Sequence, residues 1–130
     1  MTTPLWCLVI VMFIPVPLSM IGGYFRAQAF GSADNKNPRS QAAKLEGAGA
    51  RAYAAQQNAW EATAVFTVTI VVTHLAGVSP EAAAPWAMGF VACRVLHPVF
   101  YLADIDKARS IAYLGGVVCM VTLLVKAGSV

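Results

Sequence analysis

Apolar residues fall into four long runs, separated by one long and two short polar connections. The first run, Leu5 to Phe25, matches the ~20 helical residues that cross a ~30 Å hydrocarbon core. Pro15 and Pro17 lie inside it, and each removes a backbone donor, so a kink is expected there. The stretch Arg26 to Glu46 is hydrophilic and holds Gly31, Ser32, Asn35 and Pro38, which predict a long loop. A second helix runs from Gly47 to between Val72 and Leu75. A short break, Ala76 to Pro85, follows, with Ser79 placed to cap a new helix and Pro80 at its first position. The third span covers Ala82 to Leu102. Asp104 to Arg109 make a tight polar connection, and the last span lies within 110–126.

The second helix is the unusual one. Its C-terminal half is apolar and β-branched, whereas its first half carries Arg51, Gln56, Gln57, Asn58 and Glu61. At ~100° per residue, Arg51, Ala54, Asn58, Glu61 and Val65 fall within about 80° of one another. Such a stripe inside a spanning helix must face protein or a water-filled cavity, and it marks a candidate site.

Composition supports the membrane reading. The 130 residues are 58% hydrophobic and 12% charged, and mean hydropathy is +0.65. A soluble domain carries roughly 25% charged residues. The chain is read as a single all-α domain, an integral membrane four-helix bundle over residues 1–130. The first run is longer than a signal peptide's core and lacks a basic leader, so it is expected to remain as a span. The net charge of +3 and the lack of a basic cluster with interleaved aromatics give no sign of nucleic-acid binding. Cys7, Cys93 and Cys119 sit in apolar runs with no metal-binding spacing, and are expected to be buried thiols. Orientation follows from Arg26, Lys36, Arg39, Lys44, Lys107 and Arg109, which crowd the first and third loops. Those loops are expected in the cytoplasm, with both termini across the bilayer.

Depth brings two polar patches together. At 1.5 Å per residue, Asn58 and Glu61 lie roughly 15–20 Å along their helix, and Arg94 about 12–15 Å from the loop end of its own. A charge at mid-membrane costs several kcal/mol unless paired, so a Glu61–Arg94 pair, within or between subunits, is expected. Arg94, His97 and Tyr101 share a face. Two readings remain open: a network that only specifies packing, or a site for an anionic ligand. The surplus of Arg51, Asn58, His97 and Tyr101 over one pair favours the ligand. No span shows a polar face through both leaflets, which weighs against a channel.

The stretch RAYAAQQNAWE and the later RVLHPVFY resemble the MAPEG family, the membrane-associated proteins in eicosanoid and glutathione metabolism. The likeness is closest to the bacterial branch and covers essentially the whole chain. It implies a homotrimer packed around the second helices, and a multi-pass protein of the bacterial inner membrane. It also implies glutathione held between subunits near the cytoplasmic side, with hydrophobic small molecules arriving through the lipid bilayer. The family pattern falls on Arg51, Asn58, Glu61, Arg94, His97 and Tyr101 as the glutathione-binding set. In enzyme members an Arg stabilises the glutathione thiolate, which attacks the electrophile; no catalytic residue is assigned here. Two departures stand out: Ala54 replaces a family Arg, and His97 replaces a tyrosine. The implied activity is a glutathione-dependent transferase or peroxidase, and the alternative is a non-catalytic binding or scaffold protein.

Overall fold

The computed structural model describes residues 1–130 as helices joined by tight turns. They are α1 (Thr3–Phe13), α2 (Pro15–Phe30), α3 (Pro38–Ala42), α4 (Gly47–Leu75), α5 (Pro80–Leu102) and α6 (Asp106–Ala127). Because α1 and α2 run on as one broken helix, the architecture is a bundle of four long rods, with α3 a single turn inside the first loop. The stretches Thr3–Phe30 and Asp106–Ala127, with mean hydropathy 2.3 and 1.8, are each long and apolar enough to cross a membrane. The 29 residues of α4 and 23 of α5 give the length for a crossing, at about 44 and 35 Å. Their polar residues set them apart from the other two.

The break expected at Pro15 is where α1 ends and α2 begins. Proline cannot donate to the carbonyl four residues back, which is Val11. That oxygen instead accepts from Ile14 N at 3.2 Å, and the Thr63 hydroxyl of α4 shares its one proton between this oxygen at 3.3 Å and its own Ala59 carbonyl at 2.9 Å. Thr67, Thr69 and Thr73 donate to their own i−4 carbonyls at 2.7–2.9 Å, so these hydroxyls sit in an apolar helix without unmet polarity. At α5 the Ser79 side chain accepts from Ala82 N at 3.3 Å ahead of Pro80, as its sequence predicts.

The buried face of α4 is a seam spaced alternately by three and four residues: Ala52, Ala55, Ala59, Ala62, Phe66, Thr69 and Thr73. This spacing presents one stripe to neighbouring helices. Its alanine half lets α2 and the loop end of α5 approach closely, with Leu18 of α2 against Ala55 and Ala59. Its other half carries Phe66, stacked on Phe90 of α5 with centroids 4.0 Å apart and planes 4° from parallel. Here Cys7, Val11, Ile70 and Leu123 complete the core. α5 and α6 interlock through cysteine and glycine. A Cβ on Gly115 would stand 2.9 Å from the Cys93 sulfur, and one on Gly89 would stand 3.0 Å from that of Cys119. Each thiol fills the space where the opposing helix has no side chain.

The long loop is folded rather than loose. The Asp34 carboxylate accepts from Lys36 N at 2.7 Å and Asn37 N at 3.1 Å, closing the turn before α3. Gln41 of α3 accepts from Asp34 N at 2.9 Å and donates to the Ser32 carbonyl at 2.9 Å. Arg26 of α2 donates to the Asp34 carbonyl at 3.1 Å. The last connection is shorter than expected, because α6 begins at Asp106 rather than Ser110.

Candidate functional site

α4 separates two cavities at the loop end of the bundle, and helix phase decides which residues face which. Asn58 and Glu61 are ~60° apart on the helix wheel, and the edge of the buried seam falls between them. Asn58 turns inward to α5, whereas Glu61 is exposed on the outer face.

The outer cavity, about 590 Å³, lies between α2, α3 and α4. Arg26 and Arg39 face Glu61 across it, with Gln56, Gln57 and Trp60 along the α4 wall. Gly22 of α2 lines it opposite Gln56, where even an added Cβ would make only an ordinary 4.0 Å contact with the Gln56 carboxamide. Charges of both signs and two amides suit a ligand that carries carboxylates and an ammonium. The Asp34 turn holds α3, and thereby Arg39, in place; two backbone N–H groups hold the Asp34 carboxyl below the usual carboxylate range.

The inner cavity, about 390 Å³, is bounded by Asn58 of α4, His97 and Tyr101 of α5, and Arg109, Ser110 and Tyr113 of α6. Arg109 lies over the Tyr101 ring, 4.4 Å from its centroid. His97, buried to 5% exposure, meets Tyr101 edge-on at 5.6 Å. No carboxylate borders this space. A fixed cation among hydroxyls and an amide is a setting that stabilises an anion.

Behind the inner cavity sits Arg94, only 6% exposed. Its guanidinium lies 5.1 Å from the centroids of both Phe90 and Tyr113, so the cation is held between two ring faces. Nη1 donates to Asn58 Oδ1 at 3.2 Å, while Nε has no partner. Gly116 makes the room: a Cβ there would come 3.3 Å from Nε.

The expected Glu61–Arg94 pair is not formed within the chain. Depth matches, but Glu61 points to the outer cavity, and Arg94 bonds Asn58 alone among polar side chains. Arg51 also departs from its expected place. It borders neither cavity and instead pairs with Asp104 on the α5–α6 turn at 3.4 Å, its Nε buried and unpartnered. Asp104 adopts φ 61°, a left-handed conformation that Asp tolerates better than most residues, and this carries its carboxylate under α4. Asn58, His97 and Tyr101 do meet, as their spacing implied. Missed in sequence were Ser110 and Tyr113; an Arg-Ser-x-x-Tyr spacing opening the last helix was the available signal.

The molecule is thus an all-helical bundle with a charged cleft at one end and two helices long and apolar enough to cross a membrane. The chain belongs to the MAPEG family, whose model matches residues 3–129. No curated protein and no solved structure matches it.

Proposed function

We propose that this protein is a glutathione-dependent transferase or peroxidase acting on hydrophobic electrophiles, with its site completed between copies of a homotrimer. The observation that carries this reading is the chemical division between the two cavities. Glutathione has two carboxylates and one ammonium, which the outer cavity answers with Arg26, Arg39 and Glu61. Its thiol needs a nearby cation to ionise, and the inner cavity supplies Arg109 beside Ser110, Tyr101 and Tyr113. The two lie on opposite flanks of α4, so one ligand engages both kinds of surface most simply when a neighbouring copy sets its outer cavity against the inner one. Ionised in that setting once its proton passes to water, the thiolate's electron pair forms the bond to the electrophilic carbon as the leaving group departs with the pair of the bond that breaks. With a hydroperoxide it attacks oxygen, the O–O bond breaks, the alkoxide leaves as alcohol, and a second glutathione reduces the sulfenic acid to disulfide and water.

The exposed face of α4 supports a partner there. Glu61, Gln57 and Trp60 lie along it with Val68 and Leu75, which are 62% and 79% exposed. An exposed carboxylate this far along a spanning helix is costly in lipid and is relieved by protein contact. The same reading takes α4 and α5 as the second and third of four spans, with both polar loops in the cytoplasm. Single cysteines at positions 32 and 79, in a background lacking the native ones, then label from opposite sides of the membrane. Labelling of both from one side ends this topology.

A second reading, a binding or scaffold protein without catalysis, is favoured by Ala54 and by the engagement of Arg51 with Asp104. Calorimetric titration of the detergent-purified protein with glutathione separates the two. Weak binding is expected, since the missing Ala54 cation removes a charge-assisted bond worth roughly 1.5–3 kcal/mol, about ten- to a hundredfold in affinity. Ala54→Arg then tightens binding and raises thiol transfer to a general hydrophobic electrophile. A trimeric Ala54→Arg variant that neither binds nor conjugates leaves the scaffold reading.

A further inference from the structure

The buried Arg94 carries a charge that no acid of this chain neutralises, and the question is what it does there. A guanidinium only donates hydrogen bonds. The Asn58 atom it meets at 3.2 Å is therefore the carbonyl oxygen, whichever way the amide would otherwise turn. With Oδ1 committed to Arg94, the Asn58 NH2 group is left over. It donates to no group of the chain, on a residue that borders the inner cavity beside Arg109 and Ser110. An amide free to flip would show that cavity a donor or an acceptor with equal ease; this one shows a donor only.

Three features hold the arrangement. The rings of Phe90 and Tyr113 each sit 5.1 Å from the guanidinium carbon and fix it from two sides. Gly116 leaves space where any Cβ would press on Nε at 3.3 Å. The Asn58 backbone is in the middle of α4, one residue before the seam alanine Ala59, so its side chain has little freedom to leave.

We infer that Arg94 is a positioning residue: it locks the Asn58 amide so that the inner cavity presents its NH2 edge, and the cavity thereby selects an anionic acceptor such as a thiolate or carboxylate. Arg94 itself touches no ligand. The inference rests on the proposed glutathione site for the identity of the anion, and on the Arg94–Asn58 geometry for everything else.

The chain has three asparagines, Asn35, Asn37 and Asn58, and the first two lie in the loop. Protein labelled with 15N at asparagine, in detergent micelles, therefore gives a resolvable Asn58 NH2 signal. Glutathione is titrated in parallel with thiocyanate, a soft single-charge anion that stands in for the thiolate. The Asn58 signal is expected to shift with both. Asn58→Asp supplies the second arm, because its carboxylate still satisfies Arg94 but offers the cavity no donor. It is expected to melt at or above the wild-type temperature while binding glutathione at least about tenfold more weakly. Because the new carboxylate also repels an anion, Arg94→Met is measured beside it. It frees the amide to turn without adding charge and is expected to weaken glutathione binding as well, and Arg94→Met binding within twofold of wild type overturns the inference. If glutathione binds and the Asn58 signal stays still, or if Asn58→Asp binds within twofold of wild type, the inference is overturned and the glutathione reading survives. If glutathione does not bind but thiocyanate shifts Asn58, and Arg94→Met abolishes that shift, the inference stands and the glutathione reading falls. A signal unmoved by either anion overturns the inference with no variant needed.

Discussion

Two arginines, Arg51 on α4 and Arg94 facing it from α5, are treated differently by the bundle. Arg51, near the start of the helix, has a carboxylate partner, but Asp104 is 71% exposed and the pair lies at the watery end. Arg94, deep between α4, α5 and α6, has no carboxylate and relies on one amide oxygen and two ring faces. The formal ion pair is the weaker holding. Exposed pairs contribute ~0–1 kcal/mol, because water competes and two flexible chains must be ordered. A charge-assisted bond inside a low-dielectric core contributes more, and leaving such a group without its partner costs more still.

The comparison breaks most sharply at Arg94 itself. Arg94→Ala removes the guanidinium from between Phe90 and Tyr113 and empties the space it fills, and a loss of about 2–5 kcal/mol, set by that cavity, is expected. Chemical unfolding in mild detergent measures it; a loss below about 1 kcal/mol would place Arg94 with Arg51. Asn58→Ala comes next, at about 1.5–3 kcal/mol, since it strands the guanidinium without altering the rings. The double change Arg94→Ala with Asn58→Ala should cost less than the sum of the two, and additive losses would mean the 3.2 Å bond is energetically idle.

Much of this bundle was legible in the chain. Pro15 and the Ser79-Pro80 cap act locally, so those helix ends followed from nearest neighbours; the stretch from Arg26 did not, because α2 runs on to Phe30 and Pro38–Ala42 form the short helix α3. Glu61 and Arg94 were matched by depth, which counts residues along an axis. Their separation is azimuthal, and it depends on which side of α4 the seam of Ala55, Ala59 and Ala62 falls. The family pattern puts Arg51 on the ligand, whereas the left-handed backbone of Asp104 brings a carboxylate under α4 and engages it there. Tyr113 carries no charge, so in an otherwise apolar span only its spacing from Arg109 and Ser110 sets it apart from its neighbours.

Smaller effects sharpen the other side of the comparison. Asp104→Asn keeps a residue that tolerates the left-handed backbone while deleting its charge, so a change under about 1 kcal/mol is expected, shrinking further in salt. The smallest effect belongs to Asp34, whose carboxylate sits in the polar loop on the N–H groups of Lys36 and Asn37. Its folded-state pKa is depressed by the N–H groups of Asn37 and Lys36, so its support of the turn is complete above the ordinary carboxyl value near 4. That support is lost as pH falls through the lower folded value. Amide exchange at Lys36 and Asn37, corrected for its intrinsic pH dependence, should lose protection in that window while α4 stays protected. Equal loss at both would tie the loop to global unfolding.

The hydroxyl that Thr63 extends to the Val11 carbonyl has a consequence for biogenesis. The two residues are 52 positions apart, so the first helix leaves the ribosome long before its partner does. Until α4 arrives, the Val11 oxygen at the Pro15 break holds only the 3.2 Å three-residue bond from Ile14 N and lacks the four-residue donor that proline removes. The first helix is thus an unfinished part that the second completes. Thr63→Val should leave insertion of α1 and α2 intact yet slow their docking, and so lengthen the time during which quality-control proteases can recognise the nascent chain.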